Sequence, residues 1–149
     1  MTHEMLLQTL MGAIGALGFA VLFNIRGRML FYAFFGGALS WAVYLLTGGQ
    51  SPNDLPNYLF ASLTAAAYAE VLARALKTPV TGILVTSLIP LIPGGPLYYT
   101  MESCIKGDYA DFSERGVYTI SVAAMMALGI MAVMMVVRVY TSVKRRLKR

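Results

Sequence analysis

Charge is the first scarcity in this sequence. Only 13% of its 149 residues are Asp, Glu, Lys or Arg, about half of the ~25% usual in soluble domains. Hydrophobic residues make up 58%, and a soluble domain of this size would have too little polar surface to stay in solution. One cysteine, Cys104, excludes an internal disulfide and any multi-cysteine metal site. One histidine, His3, has no partner motif and takes no role. Walker loop, nucleophile elbow, zinc spacing and dinucleotide fingerprint are all missing, and Ser87 and Ser103 lack a histidine base. The expectation is a protein that is not an enzyme and uses neither metal nor cofactor. The N-terminal Met-Thr-His-Glu lacks the basic region of a signal peptide, so the first apolar segment reads as a retained membrane helix.

Long apolar runs are what the chain has instead. Five segments approach the ~20 residues needed to cross a bilayer: about 5–23, 29–47, 58–76, 80–101 and 117–137. The connections agree with this division. Asn24-Ile25-Arg26-Gly27-Arg28 is a short charged turn, and 48–57 holds Gly-Gly, Ser-Pro-Asn-Asp and Leu-Pro, a strong loop signal. Lys77-Thr78-Pro79 should end one helix and begin the next, because the residue before proline avoids the helical region. Residues 102–116 form a polar connection. The predicted fold is an all-α integral membrane protein. It is a single transmembrane domain of about five helices, the fourth broken at a Pro/Gly motif, with residues 138–149 as a basic cytoplasmic tail. The competing topology has four spans and a re-entrant fourth segment.

Lysine and arginine set the orientation. Five crossings put Arg26, Arg28, Arg74, Lys77, Arg138, Lys144, Arg145, Arg146, Lys148 and Arg149 on one side, and only Lys106 and Arg115 on the other. The richer side is cytoplasmic, which leaves the N-terminus outside and the C-terminus inside. Glu4, Asp54, Glu102, Asp108, Asp111 and Glu114 then fall outside. The net charge of +5 is therefore a topology signal, with anionic lipid as its natural contact. It is not a nucleic-acid footprint, because the basic residues lie at helix ends and in a short tail.

The fourth segment carries the strongest local feature. Pro90-Leu91-Ile92-Pro93-Gly94-Gly95-Pro96-Leu97-Tyr98-Tyr99-Thr100-Met101 places three prolines and two glycines within seven residues. Pro90 and Pro93 lack the amide that a helix interior needs, and Gly94 and Gly95 permit backbone angles that other residues avoid. Broken backbone at membrane depth survives only where protein or a water-filled cavity satisfies the freed groups. A half-helix starting after Gly94 and Gly95 would present unsatisfied backbone amides and a positive dipole end, a device suited to a carboxylate. Tyr98 and Tyr99 either line such a cavity or mark the membrane interface.

Glu70 is the sole acid predicted within a span, and Arg74 lies one turn later on the same face. The pair reads as a coupling site or as a structural ion pair near the cytoplasmic boundary. Ala61, Ala65, Ala69 and Ala73, Ala33 with Gly37, Gly36 with Ser40, and Gly12, Ala16 and Ala20 are small-residue seams for close helix packing. Trp41, Tyr44, Tyr58 and Tyr109 sit near the outer boundary, where aromatics anchor helices.

Two stretches together point to a family. Leu17-Gly18-Phe19-Ala20-Val21-Leu22-Phe23-Asn24 is one, and Ile89-Pro90-Leu91-Ile92-Pro93-Gly94-Gly95-Pro96-Leu97-Tyr98-Tyr99-Thr100-Met101 is the other. Between them lie Gly37-Ala38-Leu39-Ser40-Trp41, Glu70-Val71-Leu72-Ala73-Arg74 and Lys77-Thr78-Pro79. From about Gly12 to Arg138 the chain resembles the threonine/serine exporter family in its short, separately encoded form, similar to the C-terminal half of the fused exporters. The resemblance implies export of small polar metabolites across the bacterial inner membrane. It implies a second membrane subunit carrying the other half, with self-association as an alternative. Some pairs of this type are associated with dicarboxylates such as succinate; a non-transporting structural or assembly subunit is the remaining alternative. Asn24, Pro90, Pro93, Gly94, Gly95, Tyr98 and Tyr99 are the implied substrate-binding positions.

Overall fold

A computed structural model describes residues 3–49 and 54–147. The Ser-Pro-Asn part of the second loop signal, Lys148 and Arg149 lie outside the described residues. Six α-helices follow in order: α1 (His3–Leu22), α2 (Arg28–Leu46), α3 (Leu55–Leu76), α4 (Val80–Leu88), α5 (Gly94–Lys106) and α6 (Tyr109–Leu147). A short 3-10 turn, Ile89–Leu91, ends α4. No strand occurs among the described residues. Four helices, α1, α2, α3 and α6, are long and apolar enough to cross a membrane. The α4–α5 pair passes the same test as one unit bent by 58°. The molecule is thus an all-α membrane bundle with a broken fourth segment.

The helix ends follow from local chemistry. Asn24 (φ 58°) and Gly27 (φ 65°) take the left-handed backbone that reverses the chain between α1 and α2. At the end of α3, Lys77 is left-handed and returns its amide to the Ala73 carbonyl, and Thr78 does the same at 3.0 Å. Pro79 then begins α4, as the sequence suggests. Pro56 falls in the first turn of α3, where no amide is needed, so that helix starts earlier than expected.

Two boundaries differ from expectation. The fourth segment continues to Lys106, and most of the polar stretch 102–116 is helical. The polar residues there form one-turn ion pairs, Lys106–Glu102 at 2.7 Å and Arg115–Asp111 at 2.7 Å, which support helix rather than break it. Gly107, left-handed at φ 76°, is the one stop between α5 and α6. With 39 residues, α6 is about 58 Å long, well beyond the ~30 Å hydrocarbon core.

Packing uses the small-residue seams. Ala13, Ala16, Ala20, Ala33, Ala61, Ala65, Ala69 and Ala73 are buried. A Cβ on Gly37 would collide with that of Ala16, one on Gly36 with Ser87, and one on Gly129 with Ser62. These contacts join α2 to α1, α2 to α4, and α6 to α3. Among the described residues, the helices α1 to α4 form one body, α6 packs on α3, and α5 packs on α6 alone.

Candidate functional site

The break is built by backbone hydrogen bonds that cannot form. Pro90 and Pro93 have no amide, so α4 tightens into the 3-10 turn, with the Ile89 amide on the Thr86 carbonyl. The Ser87 carbonyl accepts instead from the Ser40 hydroxyl of α2, at 2.6 Å. Chain direction then changes at Ile92 and Pro93. The Gly94 amide bonds the Ile92 carbonyl at 2.7 Å, and the Leu97 amide bonds Pro93 at 3.0 Å. Pro96 has no amide. Among the described residues, Gly95 therefore carries the single first-turn amide of α5 without a backbone acceptor, rather than the run of amides that the motif suggests.

Gly94 and Gly95 are exposed. Neither has φ above zero, and a Cβ on either would meet nothing within 4 Å. Nothing inside this chain requires glycine at these positions. Pro90 lines an open groove of about 260 Å³ shared with Gln8, Met11, Gly12 and Trp41. The Trp41 indole Nε1 is buried without a hydrogen-bond partner among the described residues.

Tyr98 and Tyr99 follow on α5 with their rings 5.4 Å apart, edge to face, and both are more than half exposed. Their helix turns a polar face to α6. There Thr100 and Thr119 share a hydroxyl contact at 3.3 Å, and the Ser103 hydroxyl donates to the Asp111 carboxylate. Arg115 holds Asp111 and lies 5.7 Å over the Tyr99 ring. Leu97, Met101 and Ile105 remain exposed on the opposite face.

The remaining predicted residues are not gathered at the break. Asn24 lies in the α1–α2 turn, where its Oδ1 accepts from Arg26 Nε at 2.9 Å. Gly12 of α1 is the residue beside Pro90, and Asn24 is roughly 18 Å further along that axis. Glu70 and Arg74 pair at 3.4 Å on α3. Both line a separate open groove of about 380 Å³ between α3 and α6, whose other walls include Ala67, Val71 and Val136.

One constellation escaped sequence reasoning. Asp54, placed in an outer loop by its polar neighbours, is only 7% exposed. Tyr44 of α2 donates to its carboxylate at 2.8 Å, and Tyr118 of α6 to both oxygens at 2.9 and 2.8 Å. The Tyr58 ring lies 4.7 Å from that of Tyr44. The available signal was Tyr44 and Tyr58 at the same predicted boundary as the acid.

No solved structure matches the chain. A family model described as "Threonine/Serine exporter, ThrE" matches residues 8–136, a span that takes in the α1–α2 turn, the break and most of α6. On that match, the chain belongs to the threonine/serine exporter family.

Proposed function

We propose that this chain is one subunit of a two-part secondary exporter that moves small carboxylate-bearing metabolites, threonine and serine foremost, outward across the bacterial inner membrane. The observation that carries this reading is the start of α5. It is bare glycine backbone with an unengaged Gly95 amide, in a helix that touches only α6. Unsatisfied backbone is costly in hydrocarbon, so the break calls for something outside this chain: a substrate carboxylate, and a partner helix to close the site around it. The positive end of α5 suits an anion, with Tyr98 and Tyr99 as the first hydrogen-bonding side chains that follow it in the helix. Pro90 and Pro93 keep the break open. Glu70 with Arg74 and Asn24 stand apart from it, as elements of coupling or of the packed frame.

The arrangement of ends supports an outside N-terminus and a cytoplasmic C-terminus. Ile25 packs near Gly82, which puts the α1–α2 and α3–α4 turns, with Arg26, Arg28 and Lys77, at one end. The Asp54 cluster lies at the other. An upright α4 with its 3-10 turn, Val80–Leu91, and α5 inclined by 58° cover about 28 Å, close to the hydrocarbon thickness, which favours a crossing over a re-entrant loop.

Counterflow of labelled threonine, serine and succinate in vesicles tests the proposal, first with this chain alone and then with its neighbour-encoded membrane protein. Threonine or serine exchange only with both proteins is the expected result. Exchange by this chain alone would remove the obligate partner. Succinate exchange without threonine or serine would reassign the substrate, and silence in both preparations would overturn the exporter-subunit reading.

A further inference from the structure

The groove between α3 and α6 has no occupant in the exporter reading. The two helices run parallel, since Tyr118 of α6 meets Asp54 at the head of α3 and Gly129 packs on Ser62. Toward the Lys77 end of α3 they border about 380 Å³ of open space, walled by Ala67, Val71, Ala132, Val133 and Val136 among others. The polar residues that line it are Glu70 and Arg74.

The depth of the groove selects its occupant. With 22 residues, α3 is about 33 Å long, so its last turn, which holds Arg74, reaches the membrane surface. Leu63, the wall residue furthest from that surface, is about 16 Å from Arg74 along the helix, or half of the ~30 Å hydrocarbon core. The groove is therefore one leaflet deep. A membrane helix of a partner or of a second copy crosses both leaflets, whereas a lipid tail ends at the midplane. Alanine, valine and leucine walls give such a tail close dispersion contacts.

Charge at the mouth agrees with a lipid headgroup. Glu70 Oε2 accepts from Arg74 Nε at 3.4 Å, a contact that uses one of the five guanidinium N–H groups. The Arg74 side chain is 44% exposed and that of Glu70 16%, so the cation is the outer member of the pair. Lys77 caps α3, and Arg138 follows the wall residue Val137 on α6. From Glu70 to Lys77 and from Ala132 to Arg138 the two helices carry three cations and one acid. Basic pockets between membrane helices take anionic headgroups.

We propose that this groove binds one anionic phospholipid, with an acyl chain along the α3–α6 seam and its phosphate on Arg74. The proposal holds whichever substrate is exported and whichever end of the bundle is cytoplasmic.

Native mass spectrometry of the full chain tests it, with release from micelles that hold equal amounts of phosphatidylglycerol and phosphatidylcholine with the same tails. One phosphatidylglycerol should be retained in preference to phosphatidylcholine. Arg74→Gln removes one cation near the surface and should lower that preference about fivefold. Ala67→Trp fills the groove and should remove the retained lipid. Lys144→Ser with Arg146→Ser, beyond the groove, should leave the preference unchanged. Equal retention of the two lipids, a native preference in Arg74→Gln, native retention in Ala67→Trp, or loss of the preference in the Lys144 and Arg146 variant would each overturn the proposal. So would a dimer that Ala67→Trp dissociates, which would give the groove to a second copy. Thermal unfolding in the same micelles checks each variant's fold, and if Ala67→Trp does not fold, Arg74→Gln decides.

Discussion

The Ser40 hydroxyl donates to the Ser87 carbonyl at 2.6 Å, across 47 positions of sequence, and so gives that carbonyl a partner where α4 tightens into the 3-10 turn around Pro90. Both residues are fully buried. Ser40→Ala leaves that carbonyl without this partner, and the expected loss of stability is about 1 kcal/mol, since single interhelical bonds in membrane proteins average ~0.6 and a stranded buried group costs ~1–3. Reversible unfolding in mixed micelles measures it. A Ser40→Ala protein as stable as the native one would show that the break needs no bond from α2.

Glycines of the packed pair α1 and α2 should separate into two kinds. At Gly37 an added Cβ runs into Ala16, whereas at Gly15 it meets nothing within 4 Å. Gly37→Ala is expected to lower stability by about 1–3 kcal/mol through overpacking, and Gly15→Ala to change it by no more than about 0.5 kcal/mol. The same unfolding assay compares the two.

Alanine at both Gly94 and Gly95 should leave the fold intact, because neither position needs positive φ or lacks room. If the proposed carboxylate site is right, the same variant loses export, since each new methyl occupies the approach to the Gly95 amide. Normal membrane levels and thermal stability with export reduced at least about tenfold, or ~1.4 kcal/mol, is the expected combination. Unchanged export would remove the start of α5 from the pathway.

Arg115 holds α5 in place through Asp111 and Tyr99. Because α5 touches no other helix, Arg115→Ala should raise amide exchange in residues 94–106 and leave α2 and α3 protected. Hydrogen exchange resolved by peptide distinguishes this local release from global loosening, which would raise exchange everywhere.

The sequence discloses the helices where it discloses a stop. Lys77-Thr78-Pro79 and the run from Pro90 to Pro96 name their own breaks, since proline removes an amide whatever surrounds it. The stretch 102–116 misleads because polarity there marks one-turn ion pairs on a helix rather than a loop. Asp54 is hidden for a different reason. Its partners are 10 and 64 positions away, and a pattern read along the chain carries no information about which boundary tyrosines converge. Spacing did locate Glu70 beside Arg74, because that contact is made within one turn.

The packing of α5 has a mechanical consequence. Among the described residues, this helix is joined to the body of the protein by two attachments, the Ile92–Pro93 link and the flank of α6. Anything that pushes on Tyr98 or Leu97 from outside must pass its displacement through one or the other. The second route runs along α6 to Tyr118, and from there into the acid at the head of α3. A partner docked on α5 would thus hold a handle on α6, and Asp54 would feel the pull.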